Sequence, residues 1–378
     1  MGTTEPFLVD PVTGDTYPIS QPRWRSERGG PLMVSDLPGI DQARIDRSER
    51  SLWRYRAALP IAAREPITLG EGCTPLVQRN WRGTPAFFKL EWFSPTGSFK
   101  DRGASVMLSL LREQSVCAVL EDSSGNGGAA IAAYAGAGGM GAKILCPVST
   151  QPAKTVQMRA YGAELELVPG SRQDTAAEAE RQAARIFYAS HNWHPFFLQG
   201  TKTLAYELWE DLGFRAPDVV IAPTGAGSNV LGLDIGFGEL LRQGAIERRP
   251  RLYGVQPANC APIHAAFASG STSLVPVDVK PTIAEGTAIA APVRLKQVIE
   301  ALRRSGGATV TVTEEEIAGA AFDLARLGLY AEPTSAAAAA GHSKLVATGT
   351  IAPTETTAVV LTGSGLKATQ RVSELLGR

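Results

Sequence analysis

From residue 86 onward, short runs of β-branched and apolar residues alternate with longer Ala-rich segments, and few architectures accept that rhythm. The strand candidates are AFFKLEW (86–92), CAVLE (117–121), AKILCPV (142–148), AELELV (163–168), DVVIAP (218–223), RLYGVQ (251–256), ATVTV (308–312) and TAVVLT (357–362). Helix candidates between them cover 99–113, 127–138, 152–161, 173–189, 201–212, 229–243, 314–327 and 334–347, and Thr313 with Glu316 has the pattern of a capping box. Alternation over this length implies α/β architecture, with open, mostly parallel sheets covered by helices on both faces. At 378 residues the chain exceeds one ordinary core, so two domains are expected.

The first 65 residues break the rhythm. They are rich in Pro, Gly and Arg, with no clear period before RSERSLWRYRAAL (47–59), and read as an arm anchored by Trp53 and Tyr55. Lys+Arg and Asp+Glu balance at 37 each, which points away from nucleic acid and anionic membranes as partners. The uncharged stretch at residues 123–142 is mostly Gly and Ala and too weakly apolar to span a bilayer. With no secretory pattern in residues 1–20, the expected location is cytoplasmic. Cys73, Cys117, Cys146 and Cys260 lack metal or disulfide spacing. His191 and His194 in HNWHP lack the carboxylate context of a metal helix, so no metal is expected.

In open α/β sheets ligands bind beyond the carboxyl ends of strands, where glycine-rich turns enter helices. GAGGMG (136–141) has dinucleotide-like spacing but runs from helix to strand, the wrong order, and reads as a helix stop. TGAGSN (224–229) has the right order, and the N–H groups of Gly225, Ala226, Gly227, Ser228 and Asn229 suit a phosphate at a helix start. Ser123, Ser124, Gly125, Asn126 and Gly127 also lie between strand and helix, and fit either an anion site or an N-cap. Thr362 and Ser364 end a strand in LTGSG, where a hydroxyl suits a heterocyclic nitrogen or simply a turn. Lys100, in SPTGSFKDRG (94–103), falls in the first turn of a helix. The positive helix end and desolvation both lower an ammonium pKa, as a nucleophilic or Schiff-base lysine requires; Asp101 beside it offers the alternative of plain charge compensation.

Taken in chain order, SLWRYRAALP (51–60), TLGEGCTPLV (68–77), SPTGSFKDRG, SSGNGGAA (123–130), GTKTLAYE (200–207), EPTSAAAAAG (332–341) and LTGSGLK (361–367) resemble the pyridoxal-phosphate enzymes of fold type II, and among them the threonine synthases. The resemblance implies two doubly wound domains: a smaller one at 100–190, and a larger one at 66–99 and 191–378 carrying the phosphate loop, beside the arm at 1–65. It implies pyridoxal 5'-phosphate on Lys100 as a Schiff base, Asn126 at the ring O3′, residues 225–229 at the phosphate, and Thr362 at the pyridine nitrogen. The 123–127 loop would take the carboxylate of a small amino-acid substrate, and the protein would be a homodimer.

Three features depart from the threonine synthase pattern. Residues 10–34 lack the paired cysteines of related enzymes. WHPFFLQGTKT (193–203) carries His194 and Phe197 where the family has Asn-Pro and a basic residue, and TIAEGTA (282–288) looks more like dehydratases and cysteine synthases. Conversion of O-phosphohomoserine to threonine, dehydration or ammonia loss from serine or threonine, and cysteine synthase-like β-replacement all stay open. So does a noncatalytic ligand-binding role on the same fold.

Overall fold

The structure, a computed structural model, describes residues 5–150 and 152–377. Its strands are β1 (Phe7–Val9), β2 (Thr16–Pro18), β3 (Met33–Val34), β4 (Leu76–Trp81), β5 (Thr84–Leu90), β6 (Ala118–Glu121), β7 (Gly141–Pro147), β8 (Glu164–Val168), β9 (Phe187–Tyr188), β10 (Val219–Pro223), β11 (Arg251–Pro257), β12 (Ala308–Val312) and β13 (Thr357–Leu361). The helices are α1 (Lys100–Glu113), α2 (Asn126–Ala137), α3 (Pro152–Ala160), α4 (Arg172–Gln182), α5 (Pro195–Thr201), α6 (Thr203–Asp211), α7 (Ser228–Arg242), α8 (Pro262–Ala268), α9 (Leu295–Arg304), α10 (Glu314–Arg326), α11 (Pro333–Ala347) and α12 (Thr369–Leu376). They fall into two compact units, one of Met1–Pro38, Ile45–Glu71 and Lys100–Thr201, the other of Gly39–Arg44, Gly72–Phe99 and Lys202–Arg378.

The first unit is built on a parallel sheet of order β8-β7-β6-β9. Parallel neighbours need crossover connections, and the helices supply them. Residues Gly127–Ala135 of α2 are all buried, because Gly and Ala let a helix lie close to its neighbours on every side. The N-terminal stretch makes a small antiparallel sheet, β2-β1-β3, which the sequence pattern did not suggest because its strands are only two or three residues long. Trp53 lies in this unit's core. Its indole N–H donates to Ser105 Oγ (2.9 Å), whose hydroxyl donates to the carbonyl of Ile67 (2.7 Å), while Ser109 Oγ accepts from the Ile67 N–H (2.8 Å). Two serines one turn apart on α1 thus tie down the 45–71 segment.

The second unit has a six-stranded sheet, β12-β11-β10-β13-β5-β4, parallel except for the β4–β5 pair. Its central strands β10 and β13 are buried at every position, the continuous apolar reading expected of strands covered on both faces. The edge strand β4 carries exposed Gln78, Arg79 and Asn80, which discourages further pairing. Helix α11 brings Ala336–Ala340 against this sheet, and Thr313 and Glu316 form the anticipated capping box of α10.

Two helix expectations need correction. The 201–212 segment is a helix only from Thr203, preceded by α5, because Pro195 opens its own short helix. The 173–189 segment leaves the helix after Gln182, and Phe187–Tyr188 pairs with β6, where sheet pairing outweighs helix pattern. Segments β4, α8, α9 and α12 were not recognised from the pattern.

Replacing Trp53 by Ala removes a buried ring and one of the hydrogen bonds of Ser105, so stability is expected to fall by about 3–5 kcal/mol. A urea titration reads this as a lower midpoint; an unchanged midpoint would show that the indole does not hold the segment.

Candidate functional site

In the second unit, β10 ends in Pro223 and the chain turns through Thr224–Gly227 into α7. Gly227 has φ +93°, and a Cβ there would collide with the Val298 side chain. A Cβ on Gly225 would press on Thr287 Cα at 3.0 Å and the Gly286 carbonyl at 3.1 Å. Both glycines are therefore demanded by backbone shape and close approach. Helix α7 has no side-chain cap at Gly227, so its first N–H groups keep their donors for something other than a capping oxygen. Asn229 Oδ1 is buried without a hydrogen-bond partner among the described residues. Uncapped donors at a helix start suit an anionic group, and the Asn229 Oδ1 acceptor marks a place where a donor is missing.

Thr362 belongs to the same unit, just after β13. It is 3% exposed, and its hydroxyl meets Ser335 Oγ at 3.0 Å. Ser335 in turn accepts from the Gly363 N–H at 2.8 Å and donates to the Gly363 carbonyl at 3.1 Å. The Thr362 carbonyl accepts from the Phe99 N–H at 3.0 Å. Ser335, from the EPTS stretch, is thus the residue that orients Thr362. Sequence reading matched that stretch to the family without assigning the serine a role.

In the first unit, Lys100 opens α1, with its Nζ 5.5 Å from the centre of the Phe197 ring. The 123–127 turn opens α2, whose N-cap is Gly125 with no side-chain cap. Ser123 Oγ accepts from the Gly125 N–H at 3.5 Å. Gly127 has no room for a Cβ, which would lie 2.8 Å from Ser123 Oγ and from the His191 ring. GAGGMG ends α2 and leads into β7, the helix-to-strand order the sequence implied.

Behind this turn lies a group of buried polar side chains. Glu121, the last residue of β6, is fully buried; its Oε1 meets His191 Nδ1 at 2.9 Å and its Oε2 accepts the His191 backbone N–H at 3.0 Å. Asp122 accepts from the Tyr188 hydroxyl at 2.6 Å. Burial pushes the Glu121 carboxyl up to about 7, against the opposing hydrogen bond from His191 and the charge of Lys100. Burial and the neighbouring Glu121 charge raise Asp122 to about 6. His191 is driven well below the usual histidine range by burial first and Lys100 second. The Glu121–His191 pair escaped the sequence reading, which considered His191 only as a metal ligand. A carboxylate ending an otherwise apolar core strand was the available signal, since buried charges demand partners. Among the described residues no cluster of three or more His, Cys, Asp or Glu is placed to hold a metal ion.

Comparison with known proteins gives this chemistry a family. The family described as pyridoxal-phosphate dependent enzymes matches residues 67–363. Threonine synthase from Methanosarcina acetivorans is 34% identical, covering 89% of this chain and 85% of its own length. Threonine synthase from Methanocaldococcus jannaschii is also 34% identical, over 94% and 91%. Among solved structures, threonine deaminase isoform 2 from Solanum lycopersicum superposes with TM-score 0.71 at 22% identity, covering 90% of each chain. Maize serine racemase gives TM-score 0.68 at 22% identity, over 80% and 92%. The two structural likenesses establish the fold; the family match and the threonine synthases establish membership. The chain belongs to the pyridoxal-phosphate dependent enzymes of fold type II, with pyridoxal 5'-phosphate as cofactor.

Proposed function

We propose that this protein is a pyridoxal-phosphate-dependent carbon–oxygen lyase acting on a small amino acid by elimination or replacement, in the manner of its threonine synthase relatives. The observation that carries the reading is the uncapped, glycine-shaped start of α7, whose backbone N–H groups make a cradle suited to a phosphate. Gly225, Ala226, Gly227, Ser228 and Asn229 would hold the cofactor phosphate, with Thr362 toward the ring nitrogen and Asn126 toward the ring oxygen. A neutral hydroxyl at that nitrogen does not force it to stay protonated, which suits elimination and replacement better than transamination. Bound there, the cofactor supplies an electron sink for negative charge developing at the substrate Cα. Lys100 is the covalent anchor and then the amine that removes and returns the Cα proton. Ser123, Ser124, Gly125, Asn126 and Gly127 receive the substrate carboxylate at the start of α2, where backbone donors and the helix dipole favour an anion.

The relatives favour O-phosphohomoserine as substrate. A second reading, dehydration of serine or threonine, is favoured by one observation: the side chain over Lys100 is the uncharged ring of Phe197, not a cation for a substrate phosphate. A cytoplasmic homodimer belongs to the same proposal, on the resemblance to fold type II enzymes.

Three measurements test this. The purified holoenzyme should show a visible absorption band that borohydride bleaches and Lys100→Ala abolishes; a wild-type protein without it would remove the enzymatic reading. Asn229→Asp sets a carboxylate against the cofactor phosphate and should weaken retention about tenfold or more, while unchanged occupancy in a dialysis assay would reject the cradle assignment. Phosphate release from O-phosphohomoserine, compared with 2-oxo-acid release from L-serine or L-threonine, separates the two substrate readings, and oxo-acid formation alone would set aside threonine synthesis.

A further inference from the structure

We propose that His191, held by Glu121, is a further catalytic residue that exchanges a proton with an uncharged oxygen on the substrate's β carbon. The inference rests on the reading of Lys100 and the 123–127 turn given above. His191 is 4% exposed and packed against that turn, with Cε1 and Nδ1 each 2.8 Å from where a Cβ on Gly127 would lie. Its ring centre is 5.7 Å from that of Phe197, and Lys100 Nζ is 5.5 Å from the same Phe197 ring. The imidazole therefore shares a neighbour with the lysine and touches the turn that receives the substrate.

The two bonds to Glu121 fix the imidazole's orientation, through Nδ1 and through the His191 backbone N–H. No partner for Nε2 is found among the described residues, which leaves that nitrogen available to a ligand. The groups facing the pair are Asp122 after β6, Lys100 on α1 and Arg172 on α4, and the two cations oppose a second positive charge on the ring. Burial holds the Glu121 proton up to about pH 7, so at neutral pH the carboxyl can donate to Nδ1 while Nε2 carries the ring hydrogen.

Elimination then balances without an imidazolium. Lys100 takes the Cα proton, and that C–H electron pair becomes the Cα–Cβ double bond. The Cβ–O bond breaks with its pair on oxygen, and the Nε2 proton completes a molecule of water. The Glu121 proton passes to Nδ1, leaving carboxylate and neutral imidazole. Addition of water at Cβ, the hydroxylating half of a replacement, is the same proton path reversed. An acid is needed because hydroxide is a poor leaving group, whereas a halide departs unaided.

The deciding experiment compares kcat/KM of the holoenzyme for L-serine and for β-chloro-L-alanine, whose chloride needs no proton. In His191→Gln the serine-to-chloroalanine ratio should drop about 100-fold or more, and in Glu121→Gln about tenfold. An unchanged ratio in both cofactor-loaded variants overturns the proposal, as does a wild type that consumes chloroalanine but not serine. A second readout needs no turnover: in histidine-15N-labelled protein, the His191 imidazole resonances should move in Glu121→Gln, and unmoved resonances overturn the pairing. Absence of the visible band in wild type would remove the cofactor reading itself. The band with an unchanged ratio removes only the role of His191.

Discussion

The packing of α5 against the first turns of α1 decides what stands beside Lys100. A Cβ on Gly200 would run into the Arg102 carbonyl, and one on Gly103 into the Phe197 ring, so the two backbones meet at van der Waals distance only because both positions are glycine. That contact seats the Phe197 ring 5.5 Å from the lysine Nζ. The same short helix follows His191–His194, and the His191 ring lies 5.7 Å from the Phe197 ring. Other side chains at 103 or 200 would push α5 away and empty the neighbourhood of the ammonium.

The second unit relies on the same device. Gly225 and Gly227 bring the start of α7 against Thr287 and Val298, and Gly363 is pressed against Glu332 beside Thr362. In each case the missing Cβ lets backbone donors or a small hydroxyl stand where a larger side chain would otherwise project. Around these open points the charges are tightly paired. Lys202 meets Glu239 at 2.9 Å with both side chains buried, and Lys89 meets Glu207 and Asp211 at 2.7 Å each. Such pairs repay their desolvation only in fixed geometry, so they rigidify the scaffold behind the loops.

Much of the fold was legible because the strongest signals are local. All eight β-branched runs named from the sequence overlap a strand, and all eight Ala-rich segments overlap a helix, although 173–189 leaves the helix after Gln182 and 201–212 begins on the last residue of α5. Lys100, the SSGN turn and the TGAGSN turn could be singled out because their residue types conflict with, or exceed, what an ordinary turn needs. The weaker elements were not legible. β1, β2, β3 and β9 have two or three residues each and exist through pairing alone. Helices α8, α9 and α12 lie in stretches broken by Pro, Gly and Ser.

By itself the sequence determined the alternating α/β architecture, the order of the glycine-rich turns and the place of Lys100 at a helix start. Periodicity, turn chemistry and a cation at a helix start are properties of neighbouring residues. Only the tertiary structure decided the surroundings of those groups. Glu121 and His191 are 70 positions apart and form a pair because β6 and the turn after β9 lie side by side. Ser335 and Thr362, 27 apart, meet because α11 packs on β13. Phe197 stands over Lys100 because two glycines let two helices touch. Contacts between distant residues depend on where burial places whole elements, and no local pattern encodes that.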